Sequence, residues 1–271
     1  MERRELLAFI ESYQADRHNL SKMEFYELNE RLLRLALNGI GVLNYENYDI
    51  SGEAHFLKQV LQGQERPIVL DVGAHHGGYS RLAKEVNESA RIHAFEPHPD
   101  SYAVLEKTAC DCNFQAHPFG LSDVEGTVAL YDYSDSRKTH HASMYKEVIE
   151  TMHESVSKSY RVSMKTLDCF LQSESIEKVD LLKIDAEGRE LHILLGAKEA
   201  IAKNTFRTIQ FEFNEMNVCS RSFFKDFYAL LPNYAFFRML SDGLVPLGEY
   251  GKPLLFELFA FQNIVAVLRK A

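Results

Sequence analysis

The sequence predicts an α/β protein, a three-layer sandwich on a mostly parallel sheet with an antiparallel edge and N-terminal helices. Three observations carry this. From Pro67 onward, short apolar runs alternate with helix-compatible segments, which implies parallel strands joined by crossover helices. The first run ends in an acidic residue and a glycine-rich turn that opens a helix. Later runs also end in carboxylates, at the edge where ligands of open α/β sheets bind.

Taken in order, the first 60 or so residues read as helices. Ser21-Lys-Met-Glu24 has the form of a capping box, Phe25, Leu28, Leu32 and Leu35 follow at helical spacing, and Asn38-Gly39 offers a stop. A second helix is expected over Glu53 to Gln62, with Phe56, Leu57, Val60 and Leu61 on one side. Strands are expected at Ile68–Leu70, Arg91–Phe95, Phe114–Phe119, Val179–Ile184 and Thr208–Phe213, with helices such as Tyr79–Val86 and Ser101–Cys110 between them. Tyr234–Leu240 and Leu258–Leu268 read as the antiparallel edge. Residues 132–160 break the rhythm. They are polar and flanked by strands at Thr127–Tyr131 and Tyr160–Met164, and such an insertion is either a lid or a mobile loop.

The chain of 271 residues suits one large domain with an extension. We divide it into a helical extension or cap over 1–63 and a ligand-binding domain over 64–271. With 39 acidic and 30 basic side chains, a net charge of −9 speaks against nucleic acid or an anionic membrane as partner. Cys110, Cys112, Cys169 and Cys219 form no Cys-x-x-Cys pair and read as reduced, buried thiols of an intracellular protein. Leu6 to Ile10 is too short for a signal-peptide core, and Glu257, Gln262 and Asn263 interrupt Leu254–Leu268, so no membrane span is expected. A cytoplasmic protein is the expectation.

Chemistry concentrates at the strand ends. In Asp71-Val-Gly73-Ala74-His75-His76-Gly77-Gly78-Tyr79, Gly73 permits a tight turn and Gly77 a close backbone approach, so a ligand can lie against the helix start. Asp71 would repel a pyrophosphate but suit a cationic amino group, and the spacing departs from the dinucleotide fingerprint. Glu96, followed by Pro97, ends the second strand, from where a carboxylate accepts both hydroxyls of a ribose. Gly120 and Leu121, with Ser122 and Asp123, can flank an adenine. Asp185 and Glu187 end the fourth strand and Glu212 the fifth, with Asn214 beside it; three such carboxylates suit a general base, an oxygen-ligand metal site, or both. Glu190 reads as a partner of its own helix's positive end. Of eleven histidines, two adjacent pairs stand out, His75-His76 and His140-His141; neighbouring residues point apart, so neither pair is a chelate by itself, and no metal ligand is assigned. His140 and His141 are candidate substrate contacts.

Four ordered motifs, Asp71-Val-Gly-Ala, Phe95-Glu-Pro, Thr166-Leu-Asp-x-Phe-Leu171 and Lys183-Ile-Asp-x-Glu-Gly-x-Glu190, resemble the FkbM-type family of S-adenosylmethionine-dependent methyltransferases over about residues 53–240. The resemblance implies a seven-stranded class I methyltransferase (Rossmann-like) sheet. It also implies that Asp71, Gly73 and Gly77 hold the methionine part of S-adenosylmethionine and Glu96 the ribose; Ala74, His75, Tyr79 and Pro97 are further candidate cofactor contacts. Members of that family typically methylate hydroxyls of sugars or secondary metabolites. This sequence departs from the family pattern at His75-His76, where Asn and an apolar residue are commoner, and no motif fixes the 132–160 insertion.

The expected activity is therefore O-methylation of a small-molecule hydroxyl, with Asp185 first in line as base. Glu187 and Glu212 are expected as base, metal ligands or acceptor partners. A divalent metal and a homodimer stay open. The alternatives are N-methylation of a small molecule or protein, a nucleotide-sugar or nicotinamide enzyme, and a non-catalytic binding module on the same fold.

Overall fold

The structure, a computed structural model, describes residues 3–15, 20–133, 157–251 and 253–270. Eleven strands are found among them: β1 Ile68–Val72, β2 Arg91–Phe95, β3 Gln115–His117, β4 Gly120–Leu121, β5 Gly126–Tyr133, β6 Ser157–Lys165, β7 Leu181–Ile184, β8 Thr208–Glu212, β9 Tyr234–Leu240, β10 Gly243–Pro246 and β11 Asn263–Leu268. Eight of them form the main sheet in the order β10-β9-β11-β8-β7-β1-β2-β3. The five strands from β8 through β3 are parallel, and β11 is antiparallel to both β8 and β9.

Side-chain alternation shows why the strands read as near-continuous apolar runs. Leu70, Val72, Leu182, Ile184, Ile209 and Phe211 face one layer, and Val69, Ile92, Leu181 and Val265 face the other. A parallel sheet covered on both faces has no solvent side to leave polar. The first layer includes the helices Leu167–Ser173, Glu190–Leu195 and Phe224–Leu230; the second is built from Glu53–Leu61 and Gly78–Val86. Phe56, Leu57 and Leu61 are buried against β1, so the helix Glu53–Leu61 packs as part of the sheet's covering layer.

The sheet has eight strands where seven are implied, because β10 folds back on β9 as an outer hairpin. The run expected over Leu258–Leu268 is strand only from Asn263, after a short helix at Pro253–Phe256. Gly120 and Leu121 leave the third strand and join β5 and β6 in a separate three-stranded sheet, β4-β6-β5. The strands flanking the insertion are thus longer than Thr127–Tyr131 and Tyr160–Met164, and residues 134–156, with His140, His141 and the lid reading, lie outside the described residues.

Two local readings are corrected. Ser21 does not cap the helix Tyr26–Gly39: a 3-10 turn at Met23–Phe25 intervenes, and neither Lys22 nor Phe25 makes a side-chain cap. The cysteines form no disulfide among the described residues and are not buried; Cys110 and Cys169 are exposed, and Cys112 and Cys219 are half-buried. No described helix is long and apolar enough to cross a membrane.

Candidate active site

A cavity of about 360 Å³ opens over the carboxyl ends of β1, β2 and β7, with β4, β5 and β6 forming its far wall. Gly73 starts its floor. At φ +77° and with a would-be Cβ 1.7 Å from the Asp185 carbonyl oxygen, position 73 admits no side chain, because the β1 turn and the end of β7 touch there. His75 follows in the left-handed region at φ +49°, and its ring stacks on His76 at 3.7 Å between centroids.

Glu96 joins this turn to β2. Its Oε2 accepts the His75 backbone N–H at 2.9 Å and its Oε1 accepts the His98 N–H at 2.8 Å. Burial pushes its carboxyl up to about 7, against those two donors, which hold it down. His98 beside it has Nε2 3.2 Å from Asp132 Oδ2, tying the end of β5 to the loop after β2. Pro97, Gly120, Leu121, Leu130, Val162 and Met164 complete an apolar end of the cavity. A Cβ at Gly120 would sit 2.7 Å from the Met164 sulfur, so the second sheet packs tightly here.

The opposite end is ionic. Lys183 and Asp185 share one face of β7, and Lys183 Nζ lies 3.2 Å from Asp185 Oδ2 and 3.5 Å from Asp71 Oδ1. Burial alone would lower the Lys183 ammonium, but Asp185, Asp71 and Glu53 hold its pKa well above the ordinary lysine value. Ser80 Oγ donates to the other Asp71 oxygen at 2.7 Å. Behind this pair, Tyr79 donates to Gln210 Oε1 at 2.6 Å, and Gln210 Nε2 donates to Glu53 Oε1 at 2.8 Å. Burial pushes Glu212 well above the ordinary carboxylate value, and the neighbouring charges of Asp185 and Glu187 push it further.

The loop after β7 is shaped by its own residues. Glu187 and Gly188 both have positive φ, and the buried Glu190 folds back to accept the N–H groups of Ala186 and Gly188 at 2.9 and 3.2 Å. Arg189 reaches Ser122 Oγ at 2.7 Å and Asp123 Oδ1 at 3.2 Å, clamping the loop to the end of β4.

Ten residues named from the sequence line the cavity together: Gly73, Ala74, His75, Tyr79, Glu96, Pro97, Gly120, Leu121, Asp185 and Glu187. Four described ones do not. Asp71 stands behind the wall as the buried counter-charge of Lys183. Gly77, at φ +82°, lies outside the cavity lining, and a side chain there would meet Leu105, Thr108 and Phe114. Asn214 is spent on its own loop, accepting the Met216 N–H at 2.9 Å and donating to Glu212 Oε2 at 3.1 Å. Glu212 shares that buried layer. Lys183, Tyr48 and His98 line the cavity and were not picked out as site residues. Only Lys183 carried a signal, a charge two residues before Asp185 in an otherwise apolar strand. Among the described residues, no three His, Cys, Asp or Glu side chains are grouped to hold a metal ion.

A parallel sheet with an inserted antiparallel strand, a glycine turn after β1 and a carboxylate ending β2 define the class I methyltransferase fold. The match to known proteins sharpens this: residues 71–238 match the methyltransferase FkbM domain, and the chain belongs to that family. It is 30% identical over 158 residues to the methyltransferase sdnD of Sordaria araneosa, covering 49% of this chain and 61% of that protein. It is 25% identical over 178 residues to the 2-O-methyltransferase NoeI of Sinorhizobium fredii, covering 59% and 70%. With the hexuronic acid methyltransferase AglP of Haloferax volcanii it shares 25% over 167 residues, covering 60% and 63%. Among solved structures, an O-methyltransferase from Bacillus cereus in complex with SAH aligns at 12% identity and a TM-score of 0.45, covering 94% of this chain and 96% of that one.

Proposed function

We propose that this protein is an S-adenosylmethionine-dependent O-methyltransferase acting on a hydroxyl of a sugar or secondary metabolite. One observation carries the reading: Glu96, Gly73 and Asp185, drawn from three separate motifs, wall one cavity of cofactor size. The residues suit the cofactor. Glu96 keeps a carboxylate at the cavity wall for ribose hydroxyls, and Gly120 and Leu121 offer an apolar seat for the adenine. Gly73, Ala74, His75 and Tyr79 surround the place for the methionyl part.

Bound there, S-adenosylmethionine supplies a methyl group already activated by its sulfonium. The protein's work is to bring an acceptor oxygen into line and remove its proton. Asp185 is the base in this reading. Its Oδ2 is held by Lys183, its side chain is 34% exposed toward the cavity, and Oδ1 takes the acceptor proton. Glu187 orients the acceptor hydroxyl from the same loop. Asp71 acts from behind the wall, keeping Lys183 charged and so fixing Asp185. A hydroxyl-bearing acceptor is supported by the names of the relatives NoeI and AglP, a 2-O-methyltransferase and a hexuronic acid methyltransferase.

The test is radiolabelled methyl transfer from S-adenosylmethionine to a panel of sugars, glycosides and hydroxylated metabolites. Turnover on a hydroxyl that is lost in Asp185→Asn, with S-adenosylhomocysteine binding retained, is the expected result. Methylation confined to amines would refute O-transfer, and full turnover by Asp185→Asn would refute the base.

A further inference from the structure

Tyr48 lies outside the span matched to the family, on the helical turn Tyr48–Ser51, yet its ring walls the same cavity as Gly73, Gly78, Lys183 and Asp185. Several contacts fix it there. The Asn47 side chain caps the turn by accepting the N–H groups of Asp49 and Ile50, each at 3.0 Å. Gly52, at φ +90°, presses on β9 so closely that a Cβ would stand 2.0 Å from the Leu240 carbonyl oxygen. Glu53 then bonds Gln210 on the sheet, and Gln210 holds Tyr79, whose ring meets Tyr48 edge-on at 6.4 Å. The extension is pinned to the sheet immediately after this tyrosine.

The phenol oxygen of Tyr48 lies over the first residue of the helix Gly78–Val86: a Cβ at Gly78 would be 2.8 Å from it. Among the described residues that phenol has no hydrogen-bond partner, while it faces the cavity at the end where backbone N–H groups favour an anion. We propose that Tyr48 is a cofactor-binding residue supplied by the N-terminal extension, its hydroxyl donating to the carboxylate of the cofactor's methionyl end. The extension is then part of the active site. The inference rests on the S-adenosylmethionine reading above and adds a residue that the family's matched span does not contain.

The experiment compares two probes on the full chain by calorimetry: S-adenosylhomocysteine, which has the methionyl-type carboxylate, and 5′-methylthioadenosine, which lacks it. Tyr48→Phe, which removes only the hydroxyl, should weaken S-adenosylhomocysteine about tenfold and leave methylthioadenosine within about twofold. The chain contains no tryptophan, so Tyr48→Trp places a lone indole at the site, and its emission should shift when S-adenosylhomocysteine is added. Unchanged S-adenosylhomocysteine affinity in Tyr48→Phe, or equal weakening of both probes, overturns the inference while leaving the cofactor reading intact. An indole emission in Tyr48→Trp that does not respond to the probe likewise counts against it. If the wild-type chain binds neither probe, the cofactor reading itself falls, and this inference with it.

Discussion

Lys183 Nζ stands 3.5 Å from Asp71 Oδ1 across two neighbouring parallel strands, with both side chains closed off from solvent. The same ammonium reaches Asp185, so one buried cation links the carboxylate behind the cavity to the one that lines it.

Removing that cation leaves Asp71 buried without a counter-charge. Lys183→Met should therefore lower unfolding stability by about 3–5 kcal/mol, the cost of breaking a buried pair from one side. Urea denaturation at neutral pH measures it. A loss under about 1 kcal/mol, the range of a surface pair, would show that the two groups are not interdependent.

Glu96 gives the site a pH dependence. A carboxyl raised from its ordinary 4.5 to about 7 stabilises the fold fully below 4.5, and that contribution is lost as pH rises through about 7. Ribose binding runs the other way, since the ionised carboxylate is the stronger acceptor. S-adenosylhomocysteine should bind more tightly as pH rises from about 6 to about 8. In Glu96→Gln that gain should vanish, and calorimetric titrations at the two pH values decide it.

Two close approaches set the backbone of the site, and they predict opposite outcomes for equivalent glycine substitutions. Gly73→Ala meets the Asp185 carbonyl at 1.7 Å in a left-handed conformation, so the soluble, folded yield should fall sharply. Gly243→Ala has nothing within 4 Å and should change the thermal midpoint little. Equal effects of the two would contradict the tight contact between the β1 turn and the end of β7.

At the far edge of the sheet, His93 Nδ1 and His117 Nε2 lie 3.2 Å apart among Phe95, Phe119 and Phe170. Burial lowers both rings from 6.5 to about 4, His117 being lowered further by His93 and His93 by Arg91. A base lowered in the fold stabilises fully above its unfolded value, and that contribution is lost as pH falls from 6.5 through about 4. His93 is buried and His117 half-buried, and solvent at His117 screens the effect, so the fall over that window should be on the order of 2 kcal/mol. Urea midpoints across the window show it, and His117→Phe should make the fall shallower. An unchanged slope in the variant would remove the pair as its cause.

The motifs that read clearly were those whose signal is local. A glycine turn after an apolar run, the carboxylate ending β2, and the Lys183-to-Glu190 loop each fit within about ten residues, and the cavity collects them. What escaped depends on distant pairing. Gly120 and Leu121 are two residues whose strand exists only because β6 lies beside them, more than thirty positions away in the chain. Tyr48 and Glu53 begin short helices, where a polar residue reads as an ordinary first-turn residue; Glu53 gains its role from Gln210 and Tyr48 its place from the Tyr79 ring, both distant in the chain. Asp71 was legible as important but not as indirect, because the lysine that claims it comes from another strand. Gly77 was legible as obligatory, but not the crowding by Leu105 and Phe114 that a side chain there would meet.

The central claim is that this cavity is an S-adenosylmethionine site and not a dinucleotide site. Calorimetric titration of the purified chain with S-adenosylhomocysteine and, separately, with NAD tests it most directly. The account predicts saturable binding of S-adenosylhomocysteine, weakened in Glu96→Gln, and no heat from NAD. Binding of NAD alone would contradict it.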